Sequence, residues 1–214
     1  MGELSAFSQN NIKRMLAYSS TGQIGLILFA LGIGTTEGIA AGLFQITTHA
    51  LSKTLLFLAT GYMIYRSGSM EITSLQGIGK KMPLSCLAFT IGAFSLIGFP
   101  PFIGFPSKFM IVFSALISKN PLYTVFIAIV LIGTVIEGAY FFKAIQALYF
   151  KEVPAQKSTD GQIQEAPLTA LIPLVILMVL IIGIGVYPKI IINILNSAAS
   201  EFLDRAAYIK IVLR

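Results

Sequence analysis

The sequence predicts an all-α fold, a polytopic transmembrane bundle of about six spans with one broken-helix region. Three observations carry this. The 214 residues are 56% hydrophobic and only 11% charged, with a mean hydropathy of +0.84, whereas a soluble domain carries about twice that charged fraction. Met15–Thr36, Met82–Ser107, Asn120–Ile136 and Ala166–Pro188 contain no Asp, Glu, Lys or Arg, and each reaches the ~17 residues of the shortest spanning helix. Neither short alternating strands nor the turn spacing of a barrel is visible, and a lipid-embedded segment must satisfy its own backbone hydrogen bonds, which leaves the helix.

Spans are drawn at about Met15–Gly34, Gly38–Tyr65, Pro83–Phe99, Phe102–Ser118, Leu122–Phe150 and Leu168–Tyr187. Two connections are polar: Arg66–Lys81, with Gly68, Gly77 and Gly79, and Lys151–Pro167, rich in Gln, Ser, Asp and Glu and expected to be mobile. Neither is long enough to separate domains, so residues 1–187 are read as one bundle. The tail, 188–214, mixes apolar triplets with Glu201, Asp204, Arg205 and Lys210, the pattern of an amphipathic helix lying in the membrane interface. With these spans, Lys13, Arg14, Arg66, Lys80, Lys81, Lys119, Lys189 and Arg205 fall on one side, opposite Lys151 and Lys157. The positive-inside tendency then puts both ends in the cytoplasm.

The formal charge of +6 does not indicate nucleic acid, because the basic residues are scattered over loops and tail without a stripe of interleaved aromatics. Basic loops of this kind suit the cytoplasmic face of a bilayer and its anionic lipid. The one cysteine, Cys86, falls inside a predicted span, and neither CxxC nor a Cys/His cluster is present for iron–sulfur or zinc. No cofactor is therefore expected on this chain, nor a redox or hydrolytic centre. The first residues, MGELSAFSQNNIKR, lack an apolar core preceded by basic residues and do not read as a cleaved signal.

Ionisable groups inside spans cost at least ~2.5 kcal/mol to hold at the bilayer centre, so they are functional candidates. In the second span Gln45, His49 and Lys53 are spaced four apart, which puts them on one helix face. Histidine titrates near neutrality and burial disfavours any charged form, so such a stripe could pass a proton; the bland alternatives are helix–helix hydrogen bonds or a snorkelling lysine. The stretch GFPPFIGFPSK (Gly98–Lys108) interrupts an apolar run with Gly98, Pro100, Pro101, Gly104 and Pro106. It is either a tight turn at the membrane surface or a break within the membrane, the latter tolerated only where freed backbone groups face a cavity or protein. Lys108 follows in the first turn of the next helix, where a positive charge beside the N-terminus is unfavourable. Glu137 stands mid-span near Thr134; a carboxylate among apolar residues needs a partner, and basic residues on other helices are the candidates.

Three motifs, NIKRMLAYSS from Asn11, THALSKTLLFLATG from Thr48 and GFPPFIGFPSKF from Gly98, together resemble, in order, conserved stretches of the antiporter-like subunits of respiratory complex I, of multisubunit sodium/proton antiporters and of membrane-bound hydrogenases. That family has two inverted repeats of five helices, each supplying half of a proton channel, with a lysine or glutamate near a broken helix of the second repeat. The resemblance implies that this chain is the second repeat plus the last helix, with Lys108 at the break position, His49 and Lys53 on the lateral path, and Lys13 as the basic residue of the first motif. Gln45 stands where some members have a second histidine, and Asn11 where aspartate is common.

The implied function is H⁺ or Na⁺ translocation through one half-channel of a respiratory-type membrane oxidoreductase. Its path would run through Lys108, Lys53, His49, Glu137, Lys13 and Gln45. A non-conducting scaffold of the same kind of complex, a Na⁺/H⁺ antiporter subunit without a redox module, and a stand-alone transporter are the alternatives. The implied partners are other membrane subunits, above all a separate chain carrying the first repeat, then redox subunits with iron–sulfur clusters, and the lipid bilayer. The implied location is a prokaryotic plasma membrane, ahead of an energy-transducing organelle membrane.

Overall fold

A computed structural model describes residues 1–150 and 164–204 as a bundle of helices. In chain order these are α1 (Gly2–Phe7), α2 (Ile12–Gly32), α3 (Thr36–Ser67), α4 (Pro83–Ile97), α5 (Gly104–Ile117), α6 (Pro121–Phe150), α7 (Leu168–Val186) and α8 (Lys189–Leu203), with two short 3-10 turns between α3 and α4. The loop Lys151–Pro167 and the tail are described only in part: residues 151–163, with Lys151 and Lys157, and residues 205–214, with Arg205 and Lys210, lie outside the described residues.

Local chemistry sets the ends of the first long helices. Asn11 Oδ1 accepts from Arg14 N at 3.0 Å and starts α2. Thr35 Oγ1 accepts from Gly38 N at 3.1 Å and starts α3. Each cap satisfies a backbone donor that the helix cannot. Gly68, at φ +67°, closes α3 in the left-handed conformation that favours glycine. The loop after α3 returns to the start of α2, where Asn11 bridges Glu71 and Ile12 N donates to Met70 O at 2.9 Å. α2 and α3 are therefore antiparallel neighbours.

α3 is the spine. Its 32 residues span about 48 Å, and two shorter helices lie end to end along it. Beside its C-terminal half runs α4, where Ser52 and Ser95 share a 2.7 Å hydrogen bond and Gly92 makes room for Leu56. Beside its N-terminal half runs α5, where Ser107 donates to Gln45 at 2.6 Å and Ile111 clusters with Ala41. With 15 and 14 residues, neither α4 nor α5 covers the ~30 Å of a bilayer core alone. The segments drawn as separate spans, Pro83–Phe99 and Phe102–Ser118, are thus two halves of one broken traverse. The proline-rich stretch is the break inside the bundle, not a surface turn, with Gly104 and Pro106 opening α5 and a cis peptide between Pro100 and Pro101.

The other helices enclose this traverse. α6 runs back to the first end, where Gly77 N donates to Ala147 O at 3.0 Å. α7 starts there too, with Glu165 accepting from Leu84 N at 2.8 Å and from the Ser85 hydroxyl at 2.6 Å. It reaches the break, where Ile103 N donates to Ile181 O at 3.1 Å and a side chain at Gly185 would collide with the backbone of Pro101–Ile103. α8 continues to the opposite end, where Ala199 packs on Ile39 and Ala40. Because α4 and α5 make one crossing, Lys119 lies at the end opposite Lys13, Arg14, Arg66, Lys80 and Lys81, a correction to the one-sided distribution expected from six spans.

α2, α6 and α7 are each long and apolar enough to cross a membrane. Their outward faces are apolar, and so is that of α5, where exposed Phe105, Phe109 and Phe113 stack in sequence. Such faces suit lipid tails, and the polar groups are turned inward.

Candidate functional site

The buried polar groups converge at the break. Gly98 ends α4 at φ +93°, and a Cβ there would stand 3.2 Å from Lys108 Cδ. The Lys108 side chain folds back over this glycine instead of staying at the start of α5. Its Nζ donates to the Ile97 carbonyl at 3.2 Å and to Glu137 Oε2 at 2.7 Å, with Thr134 Oγ1 at 3.4 Å. The expectation of an ammonium beside the α5 N-terminus is corrected accordingly: the charge sits at the C-terminal end of α4, where the helix dipole favours a cation. Glu137 is 1% exposed and Lys108 13%, so the pair is largely withdrawn from solvent and holds together by mutual compensation.

From Glu137 a line of amides leads to the spine. Gln23 Nε2 donates to Glu137 Oε1 at 2.7 Å, Gln45 Nε2 to Gln23 Oε1 at 2.6 Å, and Ser107 Oγ to Gln45 Oε1 at 2.6 Å. One connected network therefore ties α2, α3, α5 and α6 together, and every side chain in it is satisfied, the condition under which a buried polar network is stable.

Lys53 occupies a second buried position. Its Nζ donates to the Leu16 carbonyl at 2.9 Å and to the Ser19 hydroxyl, and Glu137 is close enough to act on it electrostatically. His49, one turn before Lys53, is only half-buried, and its Nδ1 has no hydrogen-bond partner among the described residues. Lys13 is exposed in the first turn of α2, apart from the network. The structure thus brings Lys108 and Glu137 into contact, joins Gln45 to Glu137 through Gln23, holds Lys53 nearby, and leaves His49 and Lys13 outside.

Sequence reasoning missed Gln23, Ser19, Ser107 and Tyr140. Uncharged side chains in apolar helices resemble packing residues, although the need of Glu137 for a donor was a usable signal for Gln23. Tyr140 is three residues from Glu137, on the same helix face. A cavity of about 750 Å³ opens beside the pair, with Glu3, Gln23, Lys108, Thr134 and Glu137 in its wall. Among the described residues no three His, Cys, Asp or Glu side chains converge as metal ligands would.

A helical membrane bundle with a broken traverse and a lysine at the break agrees with what the resemblance of the three motifs to antiporter-like membrane subunits implied. The chain belongs to the NADH:quinone oxidoreductase/Mrp antiporter transmembrane family, whose model matches residues 1–136. It is 32% identical to NADH-quinone oxidoreductase subunit N of Desulforudis audaxviator, an alignment covering 92% of this chain and 41% of that protein. Among solved structures, it superposes on a chain of the archaeal membrane-bound sulfane sulfur reductase with a TM-score of 0.86 and 39% identity, covering 98% of this chain and 41% of that one. A chain of the Mrp complex from Dietzia sp. matches in fold, with a TM-score of 0.88 at 24% identity, over 100% of this chain and 47% of that one. The chain spans about two fifths of the length of the curated relatives it matches.

Proposed function

We propose that this chain translocates H⁺ or Na⁺ as one half-channel of a multisubunit complex in a prokaryotic plasma membrane. The reading rests on one observation: a Lys108–Glu137 pair held 2.7 Å apart at the break of a membrane traverse. Glu137 faces two cations, Lys108 in contact and Lys53 at longer range. A proton arriving on Lys53 would compete for Glu137 and loosen Lys108, and discharge of Lys108 would release Glu137 to Lys53, so charge on one site drives the other. His49, half-buried one turn from Lys53, is the lateral connection in this scheme.

The partners follow from the same reading: other membrane subunits of the complex would complete the ion path, and redox subunits would supply the drive in a redox-driven assembly. Replacing Lys108 by Ala should abolish pumping by the native assembly in reconstituted vesicles, and undiminished pumping would overturn the assignment. A non-conducting scaffold is the second reading, favoured by Gln23 and Gln45, which do not titrate yet occupy the line between Glu137 and Ser107. The subunit composition of the purified assembly separates redox-driven pumping from antiport.

A further inference from the structure

Glu3 is a carboxylate with a place prepared for it. α1 crosses α2 so closely that a Cβ at Gly2 would lie 2.6 Å from Gly22 N. The Glu3 side chain fills the notch left by Gly22, where any side chain would collide with its carboxylate, and its Cγ lies 3.8 Å from the position a Cβ would take at Gly133 on α6. The glycine on α2 thus admits the acid, while Gly133 on α6 only lies in ordinary van der Waals contact with it. Its Oε2 accepts from the Tyr140 hydroxyl at 2.7 Å, and Tyr140 itself is 1% exposed. Ser19, which accepts from Lys53, lies within interaction range of the Tyr140 hydroxyl but is not hydrogen-bonded to it in this structure. Two hydrogen-bonded pairs, Lys53–Ser19 and Tyr140–Glu3, thus face each other across one open step, separate from the amides that join Glu137 to Ser107.

We propose that Glu3 is a second proton-loading carboxylate, reached from Lys53 through the Ser19 and Tyr140 hydroxyls and facing the cavity between α1, α2 and α6. The proposal rests on the proton-translocating reading above. In the transfer an N–H bond of the Lys53 ammonium breaks as an O–H bond forms at Ser19, the Ser19 proton passes to Tyr140, and the Tyr140 proton passes to Glu3. The net change is a neutral Lys53 amine and a neutral Glu3 carboxylic acid, with no charge left on either hydroxyl. Ser19 donates to Leu16 O at 3.0 Å in this structure, so the step to Tyr140 closes when the Ser19 hydroxyl turns toward it, and the line resets when both hydroxyls turn back. The groups acting on Glu3 from the surrounding helices are Glu137 and Tyr140 on α6, Lys108 on α5 and Lys53 on α3. Burial most of all, and then Glu137, oppose ionisation of Glu3, while the Tyr140 hydrogen bond and the two lysines favour it, so the load on Glu3 responds to the state of the Lys108–Glu137 pair.

The test uses the native assembly in vesicles, with proton movement read by an entrapped pH-sensitive dye and loading by infrared difference spectroscopy in the carboxylic-acid region. Glu3→Gln keeps an acceptor for Tyr140, and Tyr140→Phe keeps the ring. Each should slow pumping by about tenfold, less than the ~100-fold or more lost with a sole proton donor. Glu3→Asp should restore most of the rate, and Glu3→Gln should remove one carboxylic-acid band. Wild-type pumping by Glu3→Gln alongside a silent Lys108→Ala overturns the branch and leaves the half-channel reading intact. Wild-type pumping by Lys108→Ala overturns the half-channel itself. Should Glu3→Gln disturb assembly, an unchanged carboxylic-acid region in Tyr140→Phe during turnover overturns the branch as well.

Discussion

The Lys108 ammonium and the Glu137 carboxylate meet at 2.7 Å, and the same ammonium caps the final α4 carbonyl, Ile97, at 3.2 Å. One cation therefore joins the end of α4, the body of α5 and the middle of α6. Its position depends on the break: in a continuous helix the Ile97 carbonyl would be bonded within the helix, and no lysine could reach it.

The pair should behave as a unit. Removing one member leaves the other as a buried, uncompensated charge, at a cost of ~3–5 kcal/mol, whereas replacing both by apolar residues costs much less. Lys108→Met and Glu137→Leu should each lower the thermal midpoint, followed by circular dichroism in detergent, more than the double replacement does. Additive losses in the double variant would mean that the two side chains are not coupled.

Gly98 and Gly68 provide a matched comparison. Both adopt positive φ, +93° and +67°, so alanine at either carries a backbone penalty of ~1–2 kcal/mol. Only at Gly98 does the added methyl meet the Lys108 side chain, while Gly68 has open space. Gly98→Ala should therefore impair both stability and pumping, and Gly68→Ala stability alone. Equal pumping by the two variants would contradict a role for the Lys108 position.

Gln45 sits at the centre of the amide line. Gln45→Leu would strip Gln23 Oε1 of its donor and the Ser107 hydroxyl of its acceptor, leaving buried polar atoms unsatisfied at ~1–3 kcal/mol each. We expect a lower unfolding midpoint together with slower ion movement in vesicles. A variant as stable as the parent would indicate that water replaces the lost amide.

Lys13 should matter little to the buried network. It is exposed at the start of α2, and surface substitutions away from special contacts usually stay within about ±0.5 kcal/mol. Lys13→Ala should pump near the wild-type rate in the assembled complex. A large loss there would extend the path to the end of the bundle.

The helical bundle was legible in the sequence because uncharged stretches of spanning length have one stable form in lipid. Lys108 and Glu137 were legible because charge amid apolar residues is costly to keep. Hydropathy could not distinguish a surface turn from an interior break at Gly98–Pro106, since both halves are equally apolar; pairing of α4 and α5 with successive parts of α3 decides it. Gln23, Ser19 and Ser107 carry no charge, and their partners lie on other helices, so spacing along the chain could not announce them. Tyr140 and Glu3 are 137 residues apart, and only the crossing of α1 with α2 and α6 brings them together.

The contact of α7 with the break has an electrical meaning. Ile181 receives the Ile103 amide, and Gly185 presses against the chain between Pro101 and Ile103, so this side of the interruption is insulated by protein. Backbone dipoles left facing lipid would be costly and would invite water. With α7 as a dielectric jacket, the interruption can expose Lys108 inward without short-circuiting the membrane outward.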